Sequence, residues 1–255
     1  MEYTKNFSMA DERHRTEKDR QFSIDIEKYF KKSVGTTLDK LQNFSKFVSR
    51  QDLSLFLARD ILFKQIQETH GYIIDCGVHL GSSLMTWAQL SAIYEPYNHM
   101  RRVVGFDTFS GFTKIHEKDK GNNPNYCVEG GMSVNAFDDL TECVKLYDLN
   151  RPLGHIPRIE LIEGDAVKTI PNYVYSNPHL VVAMLYLDFV LYEPTKIAIE
   201  QFLPRMPKGA IIAFDELNAA SWPGETQAVF ETIGLRNLRI KRVPFTPWLS
   251  YAILD

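Results

Sequence analysis

The chain is predicted to fold as a doubly wound α/β domain carrying a helical extension at its N-terminus, and three features predict it. From Tyr72 onward short apolar runs alternate with helical segments, the pattern of βαβ units that bury a mostly parallel sheet between two helix layers. The helical segments are bounded by Gly, Pro, Asn or Asp, the residues that start and stop helices. Ahead of residue 72 the apolar spacing is helical only.

Of 255 residues, 44% are hydrophobic and 24% charged, which is enough apolar material for a full core. Residues 1–22 are polar, with Glu12, Arg13, His14 and Arg15 in succession, and read as a solvated tail. Residues 23–70 read as the helical extension. Apolar residues recur loosely from Ile24 to Phe47, and Leu53, Phe56, Leu57, Ile61, Leu62, Phe63 and Ile66 form a stronger stripe. That stripe either covers a sheet edge or pairs with a second copy as a homodimer.

Residues 71–255 form the α/β domain. The strands are expected at Tyr72–Cys76, Arg102–Asp107, Arg158–Glu163, Leu180–Asp188, Ala210–Asp215, Leu238–Val243 and Ser250–Leu254, seven in one sheet. Helices are expected at Ser82–Ile93, Ser133–Leu146, Ala166–Tyr175, Glu193–Phe202 and Glu225–Thr232. Between Gly111 and Met132 lies a stretch with Gly121, Asn122, Asn123, Pro124, Gly130 and Gly131, too long for an ordinary connection and therefore a candidate lid.

Composition narrows the function. A net charge of −3 offers no global attraction to nucleic acid or to an anionic membrane, so neither is an expected partner. Cys76, Cys127 and Cys143 show no paired spacing, which argues against a disulfide framework or a zinc knuckle and for a reducing compartment. The apolar run Leu180–Leu187 is far too short to cross a bilayer, and no secretory signal opens the chain. A cytoplasmic location is expected.

The chemistry lies where strands end. Asp75-Cys-Gly-Val-His-Leu-Gly81-Ser-Ser sits at a strand-to-helix turn. There Gly77 permits a tight turn and Gly81 lets a ligand approach the main chain at a helix N-terminus. A dinucleotide fingerprint has G-x-G-x-x-G; here an acid precedes G-x-x-x-G. That carboxylate would repel a pyrophosphate and suits an ammonium group or ribose hydroxyls. Asp107 ends the second strand, where an acid can bind two ribose hydroxyls. Asp165, in Glu163-Gly164-Asp165-Ala166, either accepts the amine of an adenine or caps the following helix. Asp188 and the pair Asp215-Glu216 end the fourth and fifth strands, at the edge where open α/β sheets place ligands. At the end of an apolar strand Asp188 needs a cation, a donor or a proton. A structural salt bridge is its alternative.

Taken together the motifs resemble one family, the class I S-adenosylmethionine-dependent O-methyltransferases of the macrocin type, which methylate sugar hydroxyls. The resemblance runs from about Leu53 to the C-terminus. It rests on Phe56-Leu-Ala-Arg59, Asp75-Cys-Gly-Val78 with Gly81-Ser-Ser83, Glu95-Pro-Tyr-Asn98, Gly105-Phe-Asp-Thr-Phe109 with Gly111-Phe112, Leu187-Asp188 with Tyr192-Glu-Pro-Thr195, Phe214-Asp-Glu216, and Trp222-Pro-Gly-Glu-Thr226. It implies a Rossmann-like fold and S-adenosyl-L-methionine as cofactor. Asp75, Gly77, Val78, Gly81, Ser82 and Ser83 would meet the methionine end, Asp107 and Thr108 the ribose, and Gly164, Asp165 and Ala166 the adenine. Asp188, Asp215 and Glu216 fall in the reacting crevice.

Several members of that family hold Mg²⁺ with an Asp after the fourth strand and an Asp-Asp pair after the fifth. This chain has Glu216 in place of the second Asp, and Val190 where many members have another acid, so metal dependence stays open. The implied reaction is in-line attack of a sugar-type hydroxyl on a sulfonium methyl, which needs orientation and a proton acceptor or a metal ion. Asp188 is the expected base, with Asp215 and Glu216 positioning the sugar or coordinating the ion. His116 is a rival base with no placing motif, more readily a surface residue. Tyr192, Trp222 and Phe109 either wall the pocket or fill the core. Glu225 suits a helix start on dipole grounds alone.

Two other readings remain at this point. An NAD(P)-dependent oxidoreductase is disfavoured by the glycine spacing. A noncatalytic cofactor-binding module is made conceivable by Val190 and opposed by the retained acids.

Overall fold

The computed structural model describes residues 16–122 and 127–255. Glu12, Arg13, His14, Arg15, Asn123 and Pro124 lie outside the described residues. The chain divides into two compact units, one ending at Leu55 and one from Phe56 to Asp255.

The first unit is helical. α1 (Glu17–Lys32) and α2 (Thr37–Gln42) each open on a reciprocal capping box, Thr16 with Asp19 and Thr36 with Asp39. α1 begins inside the stretch expected to be a solvated tail. Its start is set by the box, with acids in the first turn and lysines in the last suiting its dipole. No residue of α1 or α2 is buried.

α3 (Arg50–Gln65) carries the chain into the second unit. From Phe56 onward its buried face is Ala58, Arg59, Leu62 and Phe63, while Phe56 and Leu57 are exposed. The expected stripe is therefore narrower than its apolar residues suggest, and an arginine lies within it.

The second unit holds one seven-stranded sheet. In chain order its elements are β1 (Tyr72–Cys76), α4 (Ser82–Tyr94), β2 (Val103–Asp107), α5 (Phe137–Leu149), β3 (Ile159–Glu163), α6 (Ala166–Ser176), β4 (Val182–Leu187), α7 (Tyr192–Phe202), β5 (Ile211–Phe214), α8 (Pro223–Thr232), β6 (Lys241–Arg242) and β7 (Ser250–Ile253). Strand order is β3-β2-β1-β4-β5-β7-β6; the first five are parallel, and β7 runs antiparallel to both β5 and β6. β6 is shorter than the expected Leu238–Val243, because only Lys241 and Arg242 pair with β7, opposite Tyr251 and Ser250. α5 starts later than expected, since Met132 has a positive φ and Ala136 is not yet helical.

Alternation along the strands feeds two cores. Ile73, Tyr186, Ile211 and Ala213 face α3, α4 and α5 through Leu62, Phe63, Trp87 and Leu140. Ile74, Leu185, Leu187 and Phe214 face α6, α7 and α8 through Ile170, Phe202 and Val229. Strand order reverses between β1 and β4, so the connections leaving those two strands diverge to opposite faces. The divergence opens a crevice at their carboxyl ends.

Candidate active site

The crevice has two halves. On the β1–β3 side, Gly77 (φ +103) brings the β1 turn against β4: a Cβ there would lie 2.1 Å from the Asp188 carbonyl oxygen. Its glycine thus serves the approach of two strands as much as the turn. Gly81 caps α4 in a left-handed conformation, and a Cβ on it would meet the end of the Leu140 side chain. Val78 is buried above Gly105.

Asp75 is fully buried. Its Oδ2 accepts the Ser83 hydroxyl at 2.8 Å, and its Oδ1 has no partner. Burial pushes this carboxyl up to about 7, against the opposing pull of Ser83 and then Arg59. Asp107 is held from both sides, with His79 N–H donating to Oδ2 at 2.8 Å and Phe109 N–H donating to Oδ1 at 2.7 Å. The lone pairs left over suit two hydroxyls. Thr108 is engaged locally, its hydroxyl donating to the Gly111 carbonyl at 2.7 Å. Gly164 (φ +127) donates its N–H to the Asp107 carbonyl, which ties the β3 tip to the β2 tip. Asp165 caps α6, accepting the Val167 N–H on Oδ1 at 3.1 Å, and its Oδ2 lies 4.0 Å from Lys168 Nζ. Ala166, next to it, is buried.

On the β4–β5 side the acids face one another. Oxygens of Asp188, Asp215 and Glu216 lie within 4.8 Å of each other. Burial raises the Asp188 carboxyl well above the ordinary range, Asp215 and Glu216 raise it further, and Arg59 opposes them. Asp215 is raised by burial and restrained by Arg59 and by the Tyr186 hydroxyl, which donates to its Oδ1 at 2.8 Å. Glu216 is buried with Oε2 unpartnered, and burial, Asp215 and Glu225 all raise it.

Three participants were missed in the sequence. Glu225 is fully buried in the first turn of α8, accepts the Glu216 N–H on Oε1 at 3.1 Å and leaves Oε2 unpartnered. It is a member of the acid group as well as a helix-start acid. The preceding Gly224 is the available signal: a Cβ there would strike Asp119 Oδ1 and the Tyr192 nitrogen, so α8 is pressed against the loop that follows β4. Arg59 and Tyr186 are the other two; Arg59 was legible only as part of a motif.

The segment after β2 is anchored. Asp119, 2% exposed, accepts the His116 N–H and the Tyr192 N–H, at 2.8 and 2.6 Å. His116 lies against the Tyr192 ring and accepts the Lys118 N–H on Nδ1, which commits that nitrogen to a local turn. Tyr192 is buried and its hydroxyl donates to Glu231; Phe109 packs on Phe137, and Trp222 on Phe112. Val190 is buried at φ +67, a strained conformation for a β-branched residue, and forms the corner between β4 and α7.

The residues fit the groups expected of them. Carboxylate oxygens with an orphaned Oε2 among them are the donor type that Mg²⁺ prefers. The glycine turn, the unpartnered Asp75 Oδ1 and the fixed Asp107 fit an amino acid joined to a nucleoside.

No protein-family model and no curated protein matches the chain. Among solved structures it is similar to CalS11, calicheamicin methyltransferase: 33% identity, TM-score 0.91, covering 97% of this chain and 98% of that one. The apo structure of CalS11, described as a TDP-rhamnose 3'-O-methyltransferase of calicheamicin biosynthesis, gives 34% identity and TM-score 0.82 over 94% and 96%. The O-methyltransferase NovP, at 15% identity and TM-score 0.61 over 78% and 79%, shares the fold.

Proposed function

The chain belongs to the class I S-adenosylmethionine-dependent O-methyltransferases of the sugar-modifying type, and we propose that its acceptor is a hydroxyl of a nucleotide-linked deoxysugar. The convergence of Asp188, Asp215 and Glu216 beside the glycine turn of β1 carries this reading. It supplies acceptors for a diol and a base next to a cofactor cradle. The extended likeness to CalS11, whose stated substrate is TDP-rhamnose, supports the sugar class.

S-adenosylmethionine, when bound, supplies a methyl group on a positively charged sulfur. Asp75, Val78, Ser82 and Ser83 with Gly77 and Gly81 bind its amino-acid end, Asp107 and Thr108 its ribose, and Gly164, Asp165 and Ala166 its adenine. Asp188, at the β4 tip, would take the hydroxyl proton in its ionised state, which Arg59 or a bound cation favours, as the oxygen–methyl bond forms and the methyl–sulfur bond breaks. General bases so placed contribute about 10²–10⁴-fold. Asp215 and Glu216 orient the neighbouring hydroxyls, and Glu225 fixes the main chain of that pair. Together with Asp188 they would also hold Mg²⁺, which would lower the pKa of a hydroxyl bound to it. The cytoplasm is the setting that suits three free cysteines. Among the described residues no helix is long and apolar enough to cross a membrane.

A panel of sugar nucleotides, simple sugars and catechols, incubated with the enzyme and S-adenosylmethionine with and without chelator, tests this by product mass. Methylation of a nucleotide deoxysugar is expected, suppressed by chelator. Methylation of catechols alone would overturn the acceptor class.

A further inference from the structure

The mechanism above leaves Arg59 and Tyr186 without a task, yet both are buried in its midst. Tyr186 lies in β4 beside Asp75 of β1 in the sheet register, with its ring edge-on to Trp87 at 5.4 Å. Its hydroxyl donates to Asp215 Oδ1 at 2.8 Å. Arg59, 6% exposed, donates from one terminal nitrogen to the Ser82 hydroxyl at 3.0 Å. Its other terminal nitrogen reaches the Tyr186 oxygen at 3.5 Å, with the guanidinium 5.7 Å from the ring centre. The order of contacts is therefore Ser82, Arg59, Tyr186, Asp215. It joins the first turn of α4, in the cofactor half, to the acid of β5, in the acceptor half.

Packing alone does not call for this chain. A phenylalanine would fill the Tyr186 site, and a buried guanidinium with no bidentate carboxylate and with Nε unpartnered is a costly way to fill a helix face. A phenol that donates to a carboxylate while a cation lies at its oxygen is polarised toward donation, which strengthens the bond it makes. That bond uses one oxygen of Asp215 and fixes the carboxylate plane.

We propose that Tyr186, backed by Arg59, is a positioning residue for methyl transfer: it occupies Oδ1 of Asp215 and thereby presents Oδ2 to the crevice in one orientation. The inference rests on the acceptor reading given above, because Oδ2 has work to do only if a hydroxyl or a hard cation meets it. Without the phenol the carboxylate can rotate, and the acceptor loses alignment while the cofactor half stays intact.

Tyr186→Phe removes one oxygen and keeps the volume. With TDP-rhamnose as acceptor, kcat is expected to fall at least 10-fold while S-adenosylhomocysteine affinity, by calorimetry, stays within about twofold. Arg59→Lys keeps the charge without the two-point reach and is expected to give a smaller loss of the same kind. Unchanged kcat in Tyr186→Phe, or a fall in kcat matched by a fall in cofactor affinity and melting temperature, would overturn the proposal. If the wild type methylates no sugar nucleotide, the acceptor reading fails, and the positioning role is read instead from Mn²⁺ titration followed by electron paramagnetic resonance. Weaker Mn²⁺ binding by fivefold or more in Tyr186→Phe supports it, and equal binding overturns it. A wild type that neither methylates a sugar nucleotide nor binds Mn²⁺ overturns both.

Discussion

The two halves of the crevice handle their carboxylates in opposite ways. Around β1–β3 each acid has a local donor: Asp107 two backbone N–H groups, Asp165 the helix it caps, and Asp75 the Ser83 hydroxyl on one of its two oxygens. Around β4–β5, Asp188, Asp215, Glu216 and Glu225 crowd together. Among the described residues Arg59 is the cation set against Asp188 and Asp215, and Oε2 of both Glu216 and Glu225 is left unpartnered. The first half holds its acids apart and leaves one buried oxygen, Asp75 Oδ1, open. The second stores unfavourable charge that protons, a cation or hydroxyl donors must relieve, because unpaired charge in a low-dielectric site is expensive.

The largest expected effect lies in the second half. Asp188→Asn should lower kcat by roughly 10²–10⁴-fold, the range for loss of a general base. Initial rates on a sugar nucleotide check it, and turnover near the wild-type rate would move the proton acceptor to another residue. In the first half, Asp107→Asn should weaken S-adenosylhomocysteine binding by roughly 10–100-fold, since hydrogen bonds to charged groups contribute about 1.5–3 kcal/mol. Calorimetric titration measures that, and an unaltered affinity would remove the ribose from Asp107.

A smaller effect separates the halves by pH. In the folded protein Asp75 keeps its proton up to about 7, whereas in the unfolded chain it releases it near 3.8. Folding therefore binds protons between those values, and stability from this group falls as pH rises through that window. Asp75→Asn should gain stability relative to wild type from about pH 4 to about pH 7, followed by denaturant midpoints. A gain that shrinks with rising pH would contradict the buried, partnerless Oδ1.

Much of this arrangement was legible in the sequence because parallel strands buried on both faces read as continuous apolar runs. Tyr72–Cys76 is a strand as expected, and the acids that end such runs converge by topology. Glu225 was not legible as a member of the acid group, since an acid in a first helical turn has a sufficient local explanation. What recruits it is the press of Gly224 against Asp119 and Tyr192, a tertiary contact. Arg59 hid within an apolar stripe whose real buried face is set by packing under the sheet. Only the start of α1, Glu17 to Phe22, fell inside the stretch read as a tail, because a capping box and first-turn acids rather than an apolar stripe mark that end.

The most direct test of the contrast is one paired measurement on Asp215→Asn/Glu216→Gln: S-adenosylhomocysteine affinity and methyl transfer on the same preparation. The account predicts affinity within about threefold of wild type, with transfer to the sugar nucleotide lost. Affinity and transfer falling together, or transfer surviving, would contradict it.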